Sequence, residues 1–146
     1  MFFISHRGNL TGPNPMKENS VEYINNALSK SFDVEIDLWF KNNNFFLGHD
    51  GPEYEVETKF LENKKLWCHA KNLDALFNLS KTNSIYFWHQ EDDYTLTSNG
   101  YIWTYPSKIL SPKSICVLPE TSKINEIHDC FGICSDFILR YKKNND

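Results

Sequence analysis

The stretch Phe32–Asp50, FDVEIDLWFKNNNFFLGHD, alternates apolar and polar side chains and then folds back on itself. Val34, Ile36 and Leu38 are separated by Glu35 and Asp37, the period-two pattern of a strand with one apolar and one polar face. Glu35 and Asp37 therefore project together. Asn42, Asn43 and Asn44 have turn chemistry, Phe45 to Leu47 supplies a return strand, and Gly48 leads into His49-Asp50. Two neighbouring carboxylates repel, and burying them is costly unless a cation lies between them. A hard divalent ion with oxygen ligands, Mg²⁺ or Ca²⁺, is the simplest such cation. His49, one hairpin away, is free for proton transfer. A half-exposed strand with a charged outer face produces the same E-x-D spacing, so the rest of the chain has to decide.

Before this stretch, Phe2–Ser5 reads as a short buried strand that ends in His6-Arg7-Gly8. A polar loop rich in Gly, Pro and Asn follows. Ser20 caps a helix whose apolar positions are Val21, Ile24, Ala27 and Leu28. Strand, loop, helix and strand make a βα unit. After the stretch, Leu66–Ala70 reads as a strand and Leu73–Leu79 as a helix with Leu73, Leu76 and Phe77 inward. Ile85–Trp88, Thr95–Thr97, Tyr101–Thr104, Ile115–Leu118 and Gly132–Asp136 read as further strands, and Ser122–Cys130 as a short helix carrying His128 on its surface. The alternation predicts a parallel sheet, and the polar candidates fall just after strands, where barrel enzymes place their chemistry. The expected fold is α/β: a compact, trimmed TIM-type (β/α) barrel, with some helices shortened or replaced by loops, because a full barrel takes about 200 residues or more. Residues 1–141 would form this single domain and 142–146 a polar tail.

Composition narrows the function classes. The chain has 146 residues, 40% hydrophobic and 23% charged, which fits one globular domain with a sizeable core. A net charge of −4 without a basic stripe argues against nucleic acid as a partner. The start MFFISHRG lacks the features of a signal peptide, and no apolar run reaches membrane-spanning length. Cys68, Cys116, Cys130 and Cys134 form no C-x-x-C pair, which suits reduced thiols and a cytoplasmic location.

Taken together, His6-Arg7-Gly8, Glu18-Asn19-Ser20, Glu35-Ile36-Asp37, Gly48-His49-Asp50 and the closing Gly132-Ile133-Cys134-Ser135-Asp136 resemble the signature of glycerophosphodiester phosphodiesterases. That family belongs to the superfamily of phosphatidylinositol-specific phospholipase C. The motifs stand in the family's order at similar spacing over nearly the whole chain. The resemblance implies a TIM-type barrel and metal-dependent cleavage of a small-molecule phosphodiester. It implies that His6 and His49 are the acid/base pair, that Arg7 binds phosphate, and that Glu35 and Asp37 are metal ligands. Glu18 and Asn19 match a motif beside the site, although Lys17 stands where the family has Pro. The family's third carboxylate comes from an E-x-K pattern; here the stretch is His69-Ala70-Lys71, so Lys71 matches as a phosphate-binding cation and His69 replaces the acid. A nitrogen ligand makes Mn²⁺ an alternative to Mg²⁺ and Ca²⁺.

These residue types suit the chemistry. Cleaving a phosphodiester anion calls for positive charge on its oxygens, a base for the nucleophile and an acid for the leaving alcohol. The metal, Arg7 and Lys71 supply the charge, and the two histidines titrate near neutrality. By analogy, a hydroxyl of the substrate, a glycerophosphodiester-like or sugar-linked phosphodiester, attacks first and gives a cyclic phosphate that water opens. Asp50 would orient His49 or cap a turn. Trp88, His89 and Trp103 are pocket candidates, set against the usual role of aromatic residues in packing. Two rival readings are a phosphate-ligand-binding domain with little or no activity and a lyase that stops at the cyclic phosphate.

Overall fold

More of the sheet is organised around β2 (Asp33–Lys41) than around any other strand, because β2 pairs with three neighbours. The computed structural model describes residues 1–122, 127 and 129–143. In chain order, β1 (Phe2–His6) leads through α1 (Val21–Ser29) into β2, followed by β3 (Asn44–Leu47), β4 (Tyr54–Val56), α2 (Thr58–Leu61) and β5 (Leu66–Ala70). Next come α3 (Leu73–Leu79), β6 (Ile85–Trp88), β7 (Tyr94–Leu96), β8 (Ile102–Thr104) and β9 (Ser114–Val117). A 3-10 turn at Pro119–Thr121, β10 (Gly132–Ser135) and α4 (Ile138–Lys143) complete the described chain. The parallel strands run in the order β6-β5-β2-β1-β10-β9-β8. β7 joins antiparallel at the β8 edge, and β3 and β4 form an antiparallel branch on the far half of β2.

The described residues form a curled, mixed ten-stranded half-barrel, which corrects the expectation of a trimmed (β/α) barrel. A TIM barrel follows each parallel strand with a helix. Among the described residues, the β1–α1–β2 and β5–α3–β6 units follow that plan closely, and α4 follows β10. Between β2 and β5 the chain spends its length on a hairpin and the four-residue α2. Between β6 and β8 it makes the antiparallel β7 and no helix. Among the described residues there are four short helices, the longest of nine residues, which cannot form an outer ring. The sheet nevertheless curls far enough for the Ser98 backbone N–H, just after β7, to donate to the Tyr86 carbonyl oxygen at 2.9 Å.

The curl makes two cores from one strand periodicity. On the outer face, Val34, Ile36 and Leu38 of β2 and Leu66, Cys68 and Ala70 of β5 pack with Ile24 and Ala27 of α1, Ala75 and Leu79 of α3, and Ile138 of α4. On the inner face, Ile4, Trp67, Phe87, Trp103, Ile115, Val117 and Cys134 fill the hollow. α1 starts where expected, with the Ser20 hydroxyl accepting from the Tyr23 N–H. α3 is helical as expected, but Leu73 and Phe77 are 72% and 58% exposed rather than inward. Ala75 and Leu79 take the buried face, with Leu76 partly buried against the same core as expected, and among the described residues no outer element covers Leu73 and Phe77. β4, α2 and α4 were not anticipated. α4 takes in Lys142 and Lys143, the first residues of the expected tail, and the Lys142 ammonium sits 4.8 Å from the centre of the Phe32 ring. Much of the helix expected over Ser122–Cys130, including His128, lies outside the described residues, as does 144–146.

Candidate functional site

The inner face changes character toward the carboxyl ends of the parallel strands. On β1, β5 and β10 the inward row is apolar first and ionisable last: Phe2 and Ile4 before His6, Trp67 before His69, Cys134 before Asp136. Strand register then sets neighbours. β1 against β2 places His6 beside Glu35, and β2 against β5 places Asp37 beside His69. Asp37 is fully buried and Glu35 is 2% exposed.

The cluster of Glu35, Asp37 and His69 offers one ligand atom from each residue, all within 4.8 Å of one another. His69 Nδ1 lies 3.6 Å from Glu35 Oε1 and 3.3 Å from Asp37 Oδ1. Its other nitrogen, Nε2, lies 2.8 Å from the His89 carbonyl oxygen, which can only accept. In the neutral ring the proton is therefore held on Nε2, and Nδ1, which faces the carboxylates, is the nitrogen that gains or loses a proton. Glu35 Oε2 and Asp37 Oδ1 are buried without a hydrogen-bond partner. They make ion-pair contacts instead, Glu35 Oε2 with His6 at 3.8 Å and Asp37 Oδ1 with His69 at 3.3 Å and Lys71 at 3.5 Å, and a divalent cation would satisfy them more fully. The donor set fits Mg²⁺, Ca²⁺ or Mn²⁺. Burial alone would lower the His69 pKa, but the Asp37 and Glu35 carboxylates reverse this and push it up to about 9. Burial would raise that of Asp37, but His69, Arg7 and Lys71 hold it well below the usual carboxylate range.

His6 is oriented from behind. Its Nδ1 lies 2.7 Å from Asp136 Oδ1, leaving Nε2 as the basic nitrogen, 3.8 Å from Glu35 Oε2. Burial works against its protonation, but the Asp136 hydrogen bond and the Glu35 charge outweigh it and raise the His6 pKa. The Asp136 pKa is lowered: burial raises it, and the His6 contact more than compensates. Asp136 is itself fastened. The Asn9 amide donates to it at 2.8 Å, and its backbone N–H donates to Glu120 Oε1 at 2.9 Å. Arg7 sits at φ +54°, an unusual conformation for a non-glycine residue. Its Nε lies 2.8 Å from Asp37 Oδ2, close enough for an ion pair although the N–H direction does not meet hydrogen-bond geometry. Its Nη1 donates to Glu18 Oε2 at 3.3 Å. Asn19, also at positive φ, grips Asp37 twice: its amide donates to Oδ2, and its oxygen accepts from the Asp37 N–H, both at 3.0 Å. Lys71 Nζ stands 3.5 Å from Asp37 Oδ1.

A cavity of about 520 Å³ opens over this cluster. His6, Arg7, Glu35, His49, His69, Lys71, Trp88, His89 and Trp103 line it, so the structure brings most of the sequence-predicted residues together. Asp37 lies behind them. Glu18, Asn19 and Asp50 line a smaller adjoining cavity that shares Arg7 and His49. His49 is more exposed than His6, and its Nδ1 lies 2.8 Å from Asp50 Oδ1. Gly48 makes that position possible: its φ is +149°, and a Cβ there would collide with the Gly51 carbonyl oxygen. The Trp39 indole N–H donates to the Gly48 carbonyl at 2.7 Å and ties the loop to β2. The sequence pointed to no role for Asp136, Asn9 or Glu120, and it gave Tyr105, like Trp88 and Trp103, little weight beyond packing. Asp136 stood in the closing motif, which was a signal for it; Asn9 and Glu120 had none. Searches against protein-family models, curated proteins and solved structures find no match to this chain. Among the described residues, no helix is long and apolar enough to cross a membrane.

Proposed function

We propose that this chain is a metal-dependent phosphodiesterase acting on a small phosphodiester by acid–base chemistry between two histidines. One observation carries the proposal: a buried Glu35–Asp37–His69 cluster with carboxylate oxygens lacking a hydrogen bond shares a cavity with a carboxylate-oriented histidine and two cationic side chains. Glu35, Asp37 and His69 would hold the ion, which when bound would supply positive charge to the phosphate oxygens. Arg7 and Lys71 line the same cavity and add charge to the anion's other oxygens.

The histidines divide the proton work by their surroundings. His6 is held by Asp136 through Nδ1, so its Nε2 accepts the proton of the attacking hydroxyl. Asp136 steadies the imidazolium that results, as a buried carboxylate does behind any histidine base. His49, on the more open side, gives a proton to the leaving alcohol oxygen. If the attacking hydroxyl belongs to the substrate, a P–O bond forms to it as the P–O bond to the leaving alcohol breaks, giving a cyclic phosphate. Water then opens the ring with the two histidines exchanging roles. A domain that merely holds phosphate needs no Asp136–His6 pair, which favours cleavage over the binding-domain reading.

The test is hydrolysis of bis(4-nitrophenyl) phosphate and of glycerophosphodiesters with Mg²⁺, Ca²⁺, Mn²⁺ or EDTA. Turnover should need the metal and fall by about two to four orders of magnitude in His6→Ala, the range for loss of a general base. Turnover that survives both EDTA and Glu35→Gln would sink the metal assignment.

A further inference from the structure

The cavity is larger than a phosphate group and an ion require, and its two sides differ. Toward β1, β2 and β5 it presents His6, Arg7, Glu35, His69 and Lys71; toward β6 and β8 it is aromatic. The aromatic side is continuous. His69 stacks on Phe87 at 5.1 Å between ring centres, Phe87 stacks on Trp103 at 4.5 Å, and His89 lies 5.4 Å from Tyr105. Trp103 is 3% exposed and lines the cavity, and among the described residues no protein acceptor takes its indole N–H. Tyr105 presents its ring at the mouth, 47% exposed, and Gln90 adds an amide at the same rim.

From this we infer that the aromatic half of the cavity is a subsite for a six-membered polyhydroxylated ring, a pyranose, carried as one alcohol of the phosphodiester. The inference rests on the cleavage reading only in taking the charged half of the cavity as the phosphate end. A pyranose has an apolar C–H face that packs on aromatic rings and hydroxyls at its edge that take hydrogen bonds. Tyr105 and His89 offer the first kind of surface, and the Trp103 N–H and the Gln90 amide offer the second. A glycerol chain would leave the ring faces uncovered, and an alkyl chain would leave the Trp103 N–H without an acceptor.

Equilibrium binding to the full chain with Mg²⁺ present tests this without reading turnover. The probes are glucose 6-phosphate, its open-chain counterpart sorbitol 6-phosphate, phenyl phosphate and inorganic phosphate. Glucose 6-phosphate should bind about tenfold more tightly than sorbitol 6-phosphate, the scale of discrimination a shaped pocket gives. Tyr105→Ala, at an exposed position, should erase most of that ratio while inorganic phosphate binds as before. Trp103→Phe keeps an aromatic ring and removes the N–H, and should weaken glucose 6-phosphate severalfold. The inference is overturned by equal affinity for the two hexose phosphates, by a ratio that Tyr105→Ala leaves intact, by phenyl phosphate outcompeting glucose 6-phosphate, or by no binding of any sugar phosphate. A sugar preference in a protein that cleaves no diester would uphold the subsite and defeat the cleavage reading. Cleavage without a ring preference would do the reverse.

Discussion

At the residue scale, two histidines divide the chemistry, and their protonation answers to named carboxylates. His6 has a raised pKa because Asp136 and Glu35 outweigh its burial, and Asp136 has a lowered one because of His6. A raised histidine pKa stabilises the fold below the unfolded value of 6.5, a contribution lost as pH rises through the folded value. A lowered carboxylate pKa stabilises it above 3.8, a contribution lost as pH falls through its folded value. The pair therefore contributes most between those two pH values. For turnover, a base must be neutral, so kcat/KM should rise with pH through the pKa of His6. Asp136→Asn should move that limb to lower pH and reduce kcat by about two to four orders of magnitude. An unmoved limb would show that Asp136 does not govern His6. His69 sets a second pH dependence. Its proton must leave before Nδ1 can bind an ion, and its pKa without one is pushed up to about 9. Metal affinity should therefore climb steadily from pH 6 to 8.5, with proton release seen in calorimetry. A flat affinity across that range would exclude His69 as a ligand. The sequence made Glu35 and Asp37 visible through strand alternation, and His6 and His69 through the motifs in which they stand. It hid the Asp136 role because that residue is 130 positions from His6.

At the element scale, β2 and α3 are fastened together by one side chain. Asn72 Oδ1 accepts from the Ala75 N–H at 3.0 Å, capping α3, and from the Phe40 N–H at 3.1 Å. Its amide donates to the Phe40 carbonyl at 2.9 Å. Losing a cap and two backbone bonds at a partly buried position should cost about 2–3 kcal/mol in Asn72→Ala. Urea unfolding measures this, and a loss under about 0.5 kcal/mol, the size of an ordinary surface change, would contradict the account. α3 also supplies an internal comparison. Leu79 is fully buried, so Leu79→Ala should cost about 2–5 kcal/mol, whereas Phe77→Ala on the open side should cost far less. The sequence placed α3 correctly and put Leu76 on its packed side, but it turned Leu73 and Phe77 inward where the structure exposes them. Leu73, Leu76 and Phe77 carry the larger apolar side chains, but the packed surface is made by Ala75 and Leu79, which let the helix approach β2 and β5 closely.

At the scale of the whole molecule, one curled sheet makes a dry outer core under helices and an inner hollow that is apolar below and ionisable at its mouth. The thiols show how well that arrangement excludes water. Cys68, Cys116 and Cys134 are buried, and burial pushes their pKa values far up, that of Cys116 to about 12. Cys130 is only partly buried. A thiol reagent such as DTNB should therefore modify one cysteine of the native protein readily and all four in guanidinium. Rapid native modification of three or more would mean that the two cores do not close as described.

The sequence by itself determined which side chains share a face. Strand alternation is a local property, fixed by backbone pleat, and it placed Glu35 with Asp37 and His6 on the polar end of an apolar strand. It also carried the signal for a βα unit around Ser20. Tertiary structure alone decided which strands became neighbours. Pairing β1 with both β2 and β10 brought His6 between Glu35 and Asp136, and pairing β2 with β5 brought His69 to Asp37. It also decided that hairpins would take the place of helices around the curl. That choice depends on which sheet edges and outer surfaces remain to be covered once the strands have met, and no local pattern encodes it.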